Sequence, residues 1–191
     1  MAGMRTRRIA AFAATVAAAV VLTTPAGATV VERGHYTEPI SFSYNDCGFE
    51  VVVEGTASGH FRIRAGKGRT DTAFFLLDNF SYVETHTNAN TGASLTIEGN
   101  GVFNEIKASP VEGNVFEFEA VEAGQPFTVY DADGSLVLRD RGSLHHHILF
   151  DTGGDDMPGG ELLEDLGTEV HGPHPSFDSD FCEIVTSLIG S

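Results

Sequence analysis

Ile40-Ser41-Phe42-Ser43-Tyr44 alternates large apolar and small polar side chains with a period of two. In an extended chain successive side chains point to opposite faces, so this pattern buries one face and wets the other. The same rhythm recurs outward from it. Phe49, Val51 and Val53 alternate with Glu50 and Glu54; Phe61 and Ile63 with His60, Arg62 and Arg64; Phe116 and Phe118 with Glu117 and Glu119. Asn88-Ala89-Asn90-Thr91-Gly92 and Asp131-Ala132-Asp133-Gly134 supply hairpin-type connections. Strands are expected near residues 36–44, 49–55, 58–65, 73–86, 93–99, 101–108, 114–122, 126–139 (itself a hairpin) and 142–151. No stretch between them has room for a crossover helix, which argues against a parallel sheet. A sandwich and a barrel both fit this spacing. Closure removes exposed edges, so the expected fold is all-β, an antiparallel β-barrel of about eight to ten strands.

One helix is expected at the C-terminus. Phe181, Ile184, Val185, Leu188 and Ile189 recur at three and four, the spacing of one helical face. Asp180 with Glu183 fits a capping box, and Gly190 fits a stop. Asp151 to Asp178 reads as a Gly- and Pro-rich loop region with one edge strand near Glu161–Leu166.

The N-terminal segment is set apart. Arg5, Arg7 and Arg8 precede an apolar stretch from Ile9 to Leu22, and Ala26-Gly27-Ala28 is a small-x-small cleavage signal. This predicts a secretory signal peptide over residues 1–28 and a single domain over 29–191. The apolar run is shorter than the ~20 residues of a membrane span. Cleavage would remove three arginines and no carboxylate, from a chain of 191 residues with 27 acidic and 11 basic side chains and a formal charge of −16. That charge argues against nucleic acid, which needs a basic face, and against an anionic membrane surface. It makes cations the natural small partners and favours a monomer. An even pair of cysteines in an exported chain reads as one disulfide, Cys47–Cys182, from the start of the domain to its end. Two free thiols are the alternative.

Several residue groups are candidates for chemistry. His145 and His147 share a strand face, and with His171 and His174 they offer imidazoles for zinc or a similar metal. The alternative is an outward-facing strand surface. Phe150-Asp151-Thr152-Gly153 resembles the signature of pepsin-like and retroviral aspartic proteases over four residues, but Gly154 stands where Ser or Ala is usual. Asp151, Asp155 and Asp156 form an acidic loop that suits weak calcium binding or simple solvation. Arg62, Arg64, Lys67 and Arg69 make a basic ridge, read either as a grip for an anion or as partners of Glu50 and Glu54.

The last group follows from alternation. Asp78 shares a face with Phe74, Leu76, Phe80 and Tyr82; Asn104 with Val102 and Ile106; His146 with Leu144, Ile148 and Phe150. A polar group on an apolar face must find a partner or face a cavity. Pointing into one barrel, Asp78, Asn104 and His146 would line a mostly apolar ligand pocket. No Gly-x-Ser-x-Gly, phosphate loop or dinucleotide fingerprint occurs, and no cofactor is expected.

Asp46-Cys47-Gly48-Phe49, Gly124-Gln125-Pro126-Phe127, His171-Gly172-Pro173-His174-Pro175 and Asp180-Phe181-Cys182 resemble a group of small exported actinobacterial proteins. That resemblance implies secretion and a single domain. The expected barrel is similar in outline to lipocalin-like and allene oxide cyclase-like barrels, by fold analogy alone. The leading expectation is therefore a secreted, non-enzymatic binding protein for a small apolar ligand or an extracellular protein. The alternatives are a barrel isomerase or cyclase, and a metal-dependent enzyme.

Overall fold

The computed structural model describes residues 29–191; the signal peptide expected over 1–28 lies outside the described residues. The described residues form eight strands, one α-helix and a short 3-10 turn at Gly68–Thr70: β1 (Val30–Tyr44), β2 (Val51–Ala65), β3 (Phe74–Asn88), β4 (Ser94–Glu112), β5 (Val115–Tyr130), β6 (Leu136–Arg139), β7 (Gly142–Asp151), β8 (Glu161–His171) and α1 (Phe181–Ile189). Every pairing is antiparallel. The order is β1-β2-β3-β4-β5-β7-β8, with β6 beside β5. The all-β antiparallel fold with a short C-terminal helix is thus present.

The expected barrel is corrected. Among the described residues no ladder joins β1 to β8, so hydrogen bonds do not close the sheet. The outer strands manage their edges by other means. β8 meets β7 through two register shifts and carries Glu161, Glu164, Asp165 and Glu169, while β1 includes Pro39. Bulges, charges and proline each blunt an edge without closure.

Eight strands fall within the expected eight to ten, but several expected segments merge. Segments 49–55 and 58–65 are one strand, because Thr56 and Ala57 stay in the ladder opposite Pro39 and Glu38. Segments 93–99 and 101–108 are both β4, and 114–122 runs on into β5. Several glycines within these strands are seats for aromatic rings. A Cβ on Gly34 would lie 2.8 Å from the Phe61 ring, one on Gly59 2.6 Å from Tyr36, and one on Gly99 2.2 Å from Tyr82. Each ring covers bare backbone on the neighbouring strand, which holds a glycine in a sheet it would otherwise weaken. Gly99→Ala is expected to cost about 1–3 kcal/mol, since the new methyl meets Tyr82 and also the Pro126 carbonyl oxygen at 2.5 Å. Urea denaturation measures this. A variant as stable as the parent would show that Tyr82 does not rest on Gly99.

Two apolar clusters line one face of the sheet. Ile40, Val51, Val53, Leu95, Ile97 and Val129 meet Val185 and Ile189 of α1 in the first. Phe116, Phe118 and Ala73 form the second, flanked by Ile148 and Phe150. The helix begins where its cap predicts: the Asp180 carboxylate accepts from the Cys182 and Glu183 amides at 2.8 and 3.2 Å. At its other end buried Asn88 donates to the Ile189 carbonyl at 2.8 Å. A disulfide joins Cys47 to Cys182, with Cα atoms 4.9 Å apart. The helix is therefore held on the sheet by burial, by a side-chain cap and by a covalent bond.

Candidate functional site

Residues directly opposite in an antiparallel ladder share a face. The registers therefore trace ranks of side chains across the core face. One rank runs Phe61, Asp78, Phe103, Glu122, Leu144, Val170. The next runs Glu105, Ala120, His146, Thr168. Along the strands these ranks fall between the two apolar clusters, so a polar band crosses the core face, which also carries Glu84, buried His86 and buried Asn88 beside the first cluster.

Each polar group in the band has a defined environment. The Tyr36 hydroxyl donates to Asp78 Oδ2 at 2.8 Å. Asp78 Oδ1 is buried and has no hydrogen-bond partner. Burial pushes the Asp78 carboxyl above its ordinary range, against the lowering effects of the Tyr36 hydrogen bond and of His60. Burial, then Asp78, push the Tyr36 hydroxyl upward. Across the band His146 Nδ1 lies 3.0 Å from the Thr168 hydroxyl. Its Nε2 is 3.4 Å from a Glu122 oxygen but makes no aligned hydrogen bond, and it too is buried. The Phe103 ring stands 6.2 Å from the imidazole.

Glu105 completes the band. It accepts from the Leu76 amide at 2.5 Å, beyond the last residue pair of the β3–β4 ladder. Burial raises its carboxyl from 4.5 to about 7, opposed by that hydrogen bond. Between Glu105 and His146 on their rank stands only Ala120, 1% exposed. A buried carboxyl and an imidazole thus flank one methyl.

The expected trio is only partly assembled. Asp78 and His146 share the core face. Asn104 does not join them: it pairs with Leu77 and Val121 and so lies on the other face, opposite to Phe103, where its Oδ1 is also buried without a hydrogen-bond partner. Its sequence neighbours Val102 and Ile106 accompany it there and are exposed. Alternation was read correctly within each strand, but it leaves open which face of a strand meets which face of the next.

The expected imidazole set does not assemble either. His145 and His171 come together, rings 4.5 Å apart, on the outer face. His147 turns to Glu117 at 3.6 Å, and His171 has Glu169 at 3.7 Å. His174 is buried in a loop, 3.7 Å from Asp140. Among the described residues no three His, Cys, Asp or Glu groups are placed to hold a metal. In the acidic loop Asp151 and Asp155 accept from their own turns, at Gly153 and Met157. Thr152 is tied to the Asn114 carbonyl.

Sequence reading missed Glu105, Glu122, Tyr36 and Phe103. A signal for Glu122 was present. The alternation of Phe116 and Phe118 extends through Ala120 to Glu122 on one face. Glu105 had no comparable signal, because β4 bulges between it and Lys107.

The chain matches no protein-family model, no curated protein and no solved structure.

Proposed function

We propose that the chain is an exported, non-enzymatic binding protein. It holds a small amphipathic ligand on the core face, between the apolar clusters. The observation that carries this reading is buried Asp78 Oδ1, which has no hydrogen-bond partner, in the rank next to His146, whose buried Nε2 has only the unaligned Glu122 contact at 3.4 Å, beside the Phe103 ring. Leaving such atoms unpaired costs about 1–3 kcal/mol each, a cost that a ligand hydrogen bond would recover. Small-molecule sites commonly combine an apolar lining with a few such polar hooks. The Cys47–Cys182 bond supports export, since disulfides persist in oxidising compartments. Among the described residues no helix is long and apolar enough to cross a membrane.

The test is native mass spectrometry of the protein purified from culture medium. A bound mass in the parent is expected, lost in Asp78→Asn/His146→Gln while the melting temperature holds. An apo mass in the parent, even after incubation with an extract of that medium, would overturn the reading. A second reading, a proton-transferring isomerase or cyclase, is favoured by Glu105 and His146 on either side of Ala120. Chemical alteration of the recovered ligand, abolished by Glu105→Gln, would select it.

A further inference from the structure

The opposite face of β1, β2 and β3 carries a groove of roughly 380 Å³, walled by Arg33, His35, His60 and Arg62 with Leu77 and Asn79. Its charges are arranged against ordinary sheet chemistry. Arg33 stands directly opposite Arg62, and His35 directly opposite His60, on adjacent antiparallel strands. The two imidazole rings are 5.8 Å apart. Like charges facing each other across a ladder, as the two guanidiniums do, are destabilising. They are unexpected in a chain with 27 acidic side chains and 11 basic ones.

Asp78, on the other face, acts electrostatically on His60, but among the described residues no carboxylate pairs with Arg33 or Arg62 within 4 Å. Glu32 and Glu38 alternate to the other face of β1, opposite Ile63 and Ala57. Glu54, expected to pair with the ridge, lies on the same strand as Arg62. At ~3.3 Å per residue it is roughly 26 Å away along β2. Arg64 is occupied otherwise, its guanidinium 5.8 Å over the Phe75 ring. The basic ridge therefore splits, and Arg62 joins two residues of β1 that sequence reading had not linked to it.

We propose that this groove binds a compact tetrahedral oxyanion, the phosphate or sulfate group of a small ligand. Each guanidinium presents five N–H donors in a fork that fits two oxygens at once. Two such forks, with the two imidazoles and the Asn79 amide lining the same groove, suit an anion bearing several acceptor oxygens better than a single carboxylate. The rest of the surface limits the ligand's size. The overall charge of −16 repels an extended polyanion, whereas a compact one meets only the basic cluster. Bound there, the anion also removes the repulsion across the ladder. The site lies on the opposite face from Asp78 and His146, and its test uses variants that leave both of those residues in place.

Titration of the intact protein with inorganic phosphate, inorganic sulfate and acetate, at fixed pH and ionic strength, tests this. Saturable binding of phosphate or sulfate is expected, with acetate about tenfold weaker or more. The stronger of the first two identifies the group. In NMR the His35 and His60 ring signals should move and that of His171 should not. Arg33→Gln/Arg62→Gln should weaken binding at least about tenfold, while Arg69→Gln leaves it unchanged. Phosphate should raise the parent's melting temperature more than chloride does, and this difference should vanish in the double variant. Equal shifts at all histidines, or equal affinity in parent and double variant, would overturn the proposal. So would the absence of saturable binding by either tetrahedral anion.

Discussion

Replacing Cys47 and Cys182 with serine is expected to lower the unfolding free energy by on the order of 5 kcal/mol. The bond closes a loop with a sequence separation of 135. Loop-closure entropy grows with the logarithm of length, so a separation this large lies near the upper end of what one crosslink provides. The effect is large against the ~5–15 kcal/mol total of a typical domain. It should also be uneven. The helix has nine residues, too few to persist alone in water. Without the bond it stays docked through the buried Val185 and Ile189 and the Asn88 cap. Urea unfolding of parent and variant, each with and without reductant, measures the loss. The reduced parent should match the variant. If reductant leaves the parent's midpoint unmoved, the bond contributes no such constraint.

Glu105→Gln is expected to stabilise the fold at pH 8 by on the order of 3 kcal/mol, and to change it little at pH 4. Burial holds the folded carboxyl near 7, against 4.5 as an exposed group. Between those two values the folded chain keeps a proton that the unfolded chain has released. Stability therefore falls as pH rises through that window, and is flat for this group above about 7. The amide carries no charge to desolvate, and its oxygen can still accept from the Leu76 amide. Asp78 is raised by burial too and adds a slope of the same sign. The Lys107–Glu119 pair lowers Glu119 and adds the opposite slope, from an exposed position. Both are common to parent and variant, so their difference isolates Glu105. Denaturation curves at pH 4, 6 and 8 give that difference. A constant gap at all three would show that Glu105 is not held protonated by burial.

Legibility in the sequence followed the range of the interactions. The alternation of Ile40 to Tyr44 marks a strand because side-chain direction is a property of neighbouring peptides. The Asp180 cap and the spacing of Val185 and Ile189 likewise mark a helix from within a few residues. The cysteine pairing could be read because only two were present. Segments 49–55 and 58–65, and 93–99 and 101–108, join into single strands because their continuation rests on pairing with distant neighbours. A ring forty or so positions away, such as Tyr36 hydrogen-bonded to Asp78, has no local mark.

The chain alone therefore determined an all-β antiparallel domain with one capped helix and one crosslink, since backbone geometry and local burial decide those. Only the tertiary structure decided the rest. It left β1 and β8 unpaired with each other, turned Asn104 away from Asp78 and His146, and scattered the histidines. It also brought Glu105 into a buried band and Arg33 opposite Arg62. These are matters of register and of which faces meet. A one-residue shift between strands moves a side chain to the other face while leaving each strand's own pattern intact.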